Sequence, residues 1–143
     1  MPETCVTVLK SISPIVINRS YMAFIPAVLV AAGIAVLSLT EASRMPSVQV
    51  SDKLVHGVMY CALELALMGA FAFMRRTRVA CFVFTCVAVT LYGGLMEVLQ
   101  RFCTLTRSGS MGDLLADGAG ALIGAAVVAL FVVSSSPDSG TPI

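Results

Sequence analysis

The sequence predicts an all-α integral membrane protein, a bundle of four transmembrane helices, on two observations. The first is composition. Hydrophobic residues make up 58% of the 143 residues and charged residues 12%, about half the charged share of soluble domains. Mean hydropathy is +0.95, and a soluble globule needs more polar surface than this to cover its core. The second is arrangement: the apolar residues fall into four segments, each near the length that crosses a hydrocarbon layer. The length suits one domain. It divides into a cytoplasmic or interfacial N-terminal segment (1–19), a four-helix membrane domain (20–133) and a disordered C-terminal tail (134–143).

The first segment, "SYMAFIPAVLVAAGIAVLSL", runs from residue 20 to 39 without a charge. About 20 residues rising ~1.5 Å each cross a core of ~30 Å. Lys10 and Arg19 ahead of it have the look of a signal-peptide n-region. The apolar run exceeds the ~7–15 residues of a signal h-region and no A-x-A site follows, so a retained helix is expected. The preceding "TCVTVLKSISPIVIN" reads as an interfacial stretch broken at Pro14. The second segment runs over about 52–74, interrupted by His56 and Glu64, the third over about 79–100 and the fourth over about 113–133. The tail "SSSPDSGTPI" has no apolar pattern to order it.

Orientation rests on Lys and Arg in short loops. Lys10, Arg19, Arg75, Arg76 and Arg78 fall on one side, and Arg44, Lys53, Arg101 and Arg107 on the other. The "RRTR" connector has no acid nearby, whereas the opposite set is interleaved with Glu41, Asp52, Glu97, Asp113 and Asp117. The expectation is a multi-pass protein of the bacterial cytoplasmic (inner) membrane with both termini in the cytoplasm. Net charge is +1, which gives no electrostatic case for nucleic-acid binding. The five cysteines show no CxxC or zinc spacing and read as small apolar residues. No internal repeat suggests a transporter.

With that topology the start of the second helix, the end of the third and the start of the fourth share the outer side. The polar residues concentrate at those three places. At about 100° per residue, Asp52, Lys53, His56 and Tyr60 lie within an arc of about 100°, with Glu64 continuing the stripe about 18 Å along the axis from Asp52. Glu97, Gln100 and Arg101 share a face of the third helix, with Gly93 and Gly94 a turn earlier. Asp113, Asp117, Gly120 and Gly124 fall within roughly 60° on the fourth. Charges facing lipid are costly, so these faces point into the bundle, where small residues admit a close neighbour. The predicted site is a polar cleft at the outer membrane surface formed by Asp52, Lys53, His56, Tyr60, Glu97, Gln100, Arg107, Asp113 and Asp117. The loop "RFCTLTRSGSMG" closes over it. The glycine faces leave packing within one chain or in a homo-oligomer open.

These residues carry a resemblance. "DKLVHGVMY" is similar to the D-K-x-x-H-x-x-x-Y motif of the VanZ-like membrane protein family. "EVLQRFCTLTRSGSMGDLLADGAGALIG" resembles that family's E-x-x-Q, then Arg, then D-x-x-A-N-x-x-G-x-x-x-G. The match covers roughly 52–124 and departs where the family has Asn and this chain has Asp117, which favours a cation or proton at the site. The resemblance implies a small four-helix membrane protein. It also implies a link to low-level resistance to teicoplanin, a glycopeptide with a lipid tail that acts on cell-wall precursors.

Three functions follow from this set of residues. In a binding module, the cleft recognises membrane lipids, a lipid-linked cell-wall precursor or a lipoglycopeptide. Lys53, Arg107 and the helix N-termini then hold phosphate or carboxylate, while Glu97, Asp113 and Asp117 meet amines or hydroxyls. In an enzyme, a hydrolase or transferase, His56 is the general base toward a lipid-linked ester. In a structural protein, the polar groups pair helix ends, for example Asp52 or Glu97 with Arg107 and Lys53 with Asp113. The binding module is the reading carried forward. A lone histidine and the lack of an HxxxH pair lead to no expected metal or cofactor.

Overall fold

The computed structural model describes residues 19–40, 51–74, 79–104 and 110–134, and no strand occurs among them. Four helices form the predicted bundle: α1 (Ile25–Leu39), α2 (Asp52–Phe73), α3 (Val79–Cys103) and α4 (Met111–Ser134). Residues 1–18, Glu41, Arg44, the "RRTR" connector, Arg107 and the tail from residue 135 lie outside the described residues.

The helices α2, α3 and α4 are long and apolar enough to cross a membrane. By contrast, α1 has 15 residues and rises only about 22 Å. The sequence reads residues 20–39 as one helix, whereas the structure divides them into a short helix, Arg19–Met22, a turn at residues 23–24, and α1. Pro26 accounts for the break. It has no N–H to give the Met22 carbonyl four residues back, and its ring would clash with that carbonyl. The chain therefore closes a turn, with the Phe24 N–H on the Tyr21 carbonyl at 3.1 Å. Helix α1 then starts with Pro26 in its first turn, where a missing N–H costs nothing.

Packing is closest between α2 and α4, for a reason visible in the sequence. A Cβ at Gly120 would overlap the Gly57 carbonyl, and one at Gly124 would lie 2.9 Å from both the Cys61 carbonyl oxygen and the Glu64 Cβ. Two backbones meet where no side chain intervenes. The glycine face of α4 is thus used within the chain. Across this seam α3 contributes Val89 and Met96 to a core with Tyr60, Leu63 and Ala121, and Ala27 and Ile34 of α1 close it. The Tyr92 hydroxyl donates to the Ala31 carbonyl at 2.7 Å and ties α3 to α1. Outside, Leu54, Val58, Leu91, Leu95, Leu115 and Leu122 are exposed. Such a surface suits lipid and would be an association hazard in water.

Candidate functional site

The start of α2, the end of α3 and the start of α4 gather at one end of the bundle, as the polar faces predict. On α2, His56, Tyr60 and Glu64 repeat every fourth residue and form one buried stripe. On α4, Asp113, Asp117, Gly120 and Gly124, spaced three or four residues apart, form another buried stripe, and Gly93, Glu97 and Gln100 turn inward from α3. Six of the predicted site residues are therefore buried together: His56, Tyr60, Glu97, Gln100, Asp113 and Asp117. They pack against one another. Asp52 and Lys53, in the first turn of α2, are exposed, as is Arg101 in the last turn of α3.

His56 is the centre of the cluster. Its Nδ1 lies 2.9 Å from Asp117 Oδ1 and 3.8 Å from Glu97 Oε1. Gly93 makes room for that pairing: a Cβ there would stand 2.5 Å from Asp117 Oδ2. Beneath the imidazole, Tyr60 stacks at 6.2 Å between ring centroids with an 18° interplanar angle, and Tyr92 follows at 6.3 Å. Among the described residues the ion pairs run from His56 to Asp117 and Glu97 rather than from Lys53 to Asp113.

Glu97 has two roles, one for each oxygen. Oε2 accepts the Ser110 backbone N–H at 2.6 Å and fixes the end of α3 to the start of α4. Ser110 in turn caps α4: its Oγ accepts the Asp113 N–H at 3.1 Å. The S-x-x-D spacing of Ser110 and Asp113 before an apolar run is a capping signature that identifies it. Among the described residues, Glu97 Oε1 and Asp117 Oδ2 are buried without a hydrogen-bond partner, as are the Tyr60 hydroxyl and Gln100 Nε2.

Two sets of possible metal ligands share the imidazole. His56, Glu97 and Asp117 form one and Asp52, His56 and Asp113 the other, each with donor atoms within 4.8 Å of one another. Lys53 lies over the first turn of α4, where a Cβ on Gly112 would stand 3.0 Å from its Cε and 3.3 Å from its Nζ. From Lys53 an apolar groove of about 440 Å³ runs between α2 and α4, lined by Leu54, Val58, Leu65, Ala116 and Ile123 among others. Further along α2, the carboxylate of Glu64 meets α3, accepting from the Thr85 hydroxyl at 2.6 Å and the Cys86 thiol at 3.7 Å. Neither partner is evident from the sequence, because Thr and Cys inside an apolar run read as small packing residues.

No curated protein and no solved structure matches the chain. The family model described as VanZ/LLP1 matches residues 4–132, a span that holds every described residue of the polar cluster. This is a membrane protein of the VanZ-like type, and the chain belongs to the VanZ/LLP1 family.

Proposed function

We propose that the protein binds an anionic, lipid-tailed molecule of the cell envelope at the outer surface of the cytoplasmic membrane, with both termini in the cytoplasm. The observation that carries this reading is the groove of about 440 Å³ between α2 and α4, apolar along its length and bordered by Lys53 at one end. An acyl chain suits such a groove. A phosphate or carboxylate at its head meets Lys53 and the N-terminal end of α4, whose helix dipole favours an anion. The buried cluster braces this end of the bundle. Altered glycopeptide (teicoplanin) susceptibility would follow if the bound molecule is a lipid-linked wall precursor or the antibiotic's own tail.

Native mass spectrometry of gently extracted full-length protein tests this. A lipid-mass adduct is expected on the native chain. It should weaken in Lys53→Ala and disappear in Ala116→Phe, which fills the groove. An adduct unchanged in both variants, or none on the native chain, would overturn it.

One observation favours a second reading, a membrane-embedded hydrolase or transferase. Asp117 holds the His56 ring at 2.9 Å, as an acid orients a general base. Release of product from a lipid-linked substrate, abolished by His56→Gln, would establish turnover.

A further inference from the structure

We propose that His56, Glu97 and Asp117 bind a divalent cation of the zinc or manganese type where α2, α3 and α4 meet. This goes beyond lipid binding and does not depend on it. Ligand geometry is the first support. All three residues are buried and offer donor atoms within 4.8 Å of one another. Nδ1 of His56 is 2.9 Å from Asp117 Oδ1 and 3.8 Å from Glu97 Oε1. A cation bonded to such ligands at about 2.0–2.2 Å holds them roughly 3.0–3.5 Å apart, so the two His56 distances are within a few tenths of an ångström of a coordination shell, and Glu97 and Asp117 need to close from at most 4.8 Å.

The second support is independent of that spacing. Glu97 Oε1 and Asp117 Oδ2 are buried and have no hydrogen-bond partner among the described residues. The other oxygen of Glu97 is used by the Ser110 N–H, while Asp117 Oδ1 faces His56 Nδ1, a contact that the cation would replace. Buried carboxylate oxygens without donors are costly and rare. Glu97 Oε1 lies 3.8 Å from His56 Nδ1, and a cation placed between them meets an oxygen that no hydrogen-bond donor reaches among the described residues.

The surrounding residues fit the same ion. Asp52 and Asp113 also lie within 4.8 Å of a His56 ring nitrogen, so the imidazole sits among four carboxylates. With Nδ1 given to the metal, the other ring nitrogen carries the proton, and a neighbouring acid can accept it. Such a partner orients metal-bound histidines and sets their tautomer. A mixed nitrogen and carboxylate donor set selects zinc or manganese over calcium or magnesium, which favour oxygen alone.

The test uses the full chain purified in detergent, stripped with chelator and titrated with zinc and with manganese by calorimetry. A single ion per chain is expected, together with a rise in melting temperature on loading. Asp117→Asn and Glu97→Gln keep shape and hydrogen-bonding capacity but remove the anionic ligand, and each should lower affinity at least about tenfold. Melting of the metal-free variants shows whether they fold. His56→Gln supplies a third variant if either does not. Absence of a stoichiometric ion on the native chain, or affinity unchanged in the folded variants, would refute the site.

Discussion

Glu64 and Asp117 are both 0% exposed, yet their surroundings differ. Glu64 meets neutral donors from one neighbour, Thr85 and Cys86 on α3. To this contact α4 contributes the space left at Gly124 and the Ala121 carbonyl, 3.9 Å from the Cys86 Sγ. That arrangement is enough to fix α2 against α3. Asp117 sits instead in a convergence of three helices, with His56 from α2 and Glu97 from α3. There, carboxylate oxygens outnumber the protein donors that reach them. Burial of an acid is therefore a poor mark of function by itself. Like charges brought together from separate elements are a better one; an unfilled oxygen alone is not, since Glu64 Oε2 is also buried with no hydrogen-bond partner among the described residues.

The largest expected effect follows from that contrast. Asp117→Ala removes the partner of a buried imidazole and should lower stability in detergent by about 3–5 kcal/mol. Glu64→Gln keeps an acceptor for Thr85 and should change stability by about 1 kcal/mol or less. Thermal unfolding of the two variants side by side checks this. Equal losses would erase the distinction between a convergent site and a single-neighbour contact.

Both regions depend on the α2–α4 seam, which sets the next effect. Gly120→Val forces side-chain atoms against the Gly57 carbonyl and should destabilise by about 1–3 kcal/mol. Gly118 provides the control, two residues away. A Cβ there meets only Thr90, at 3.8 Å, so Gly118→Ala should be neutral or stabilising by up to about 1 kcal/mol. If Gly120→Val also abolishes metal binding while Gly118→Ala retains it, the seam positions the cluster as well as holding the fold.

Much of this was legible in the sequence. Helical periodicity alone placed Asp113, Asp117, Gly120 and Gly124 on one face, and all four are buried. It also placed His56, Tyr60 and Glu64 in one stripe. Periodicity reports an angle, however, and says nothing of how far a partner helix extends. Asp52 and Lys53 share the arc of His56 but occupy the first turn of α2, where they are exposed. Arg101 follows the buried Gln100, and a step of about 100° turns it away from the cluster. The break at Met22 was readable from Pro26 by the missing i−4 hydrogen bond, but an uninterrupted apolar run concealed it. The pairing of Glu64 with Thr85 depends on the register of α3 against α2, which neither helix encodes by itself.

The smallest effect sharpens the contrast furthest. Thr85→Val removes the nearest donor to Glu64 while keeping the shape of the side chain. Interhelical hydrogen bonds in membranes are worth about 0.6 kcal/mol on average and rarely exceed about 1.7, so a loss of about 1 kcal/mol is expected. The double variant Glu64→Leu with Thr85→Val is more informative. Replacing both partners of a buried polar contact with apolar groups is often close to neutral, because no unsatisfied atom remains. The double variant should therefore recover most of what Thr85→Val loses, as measured by unfolding in detergent. The same logic fails at His56. Making both His56 and Asp117 apolar removes the imidazole beside Glu97 Oε1, its one ion-pair partner among the described residues, and Asp113 still faces the site from α4. Recovery at Glu64 without recovery at His56 would locate the difference in the number of helices that each acid engages. Recovery at both would mean that Asp117 and His56 form a self-contained pair, and that Glu97 serves only to anchor Ser110.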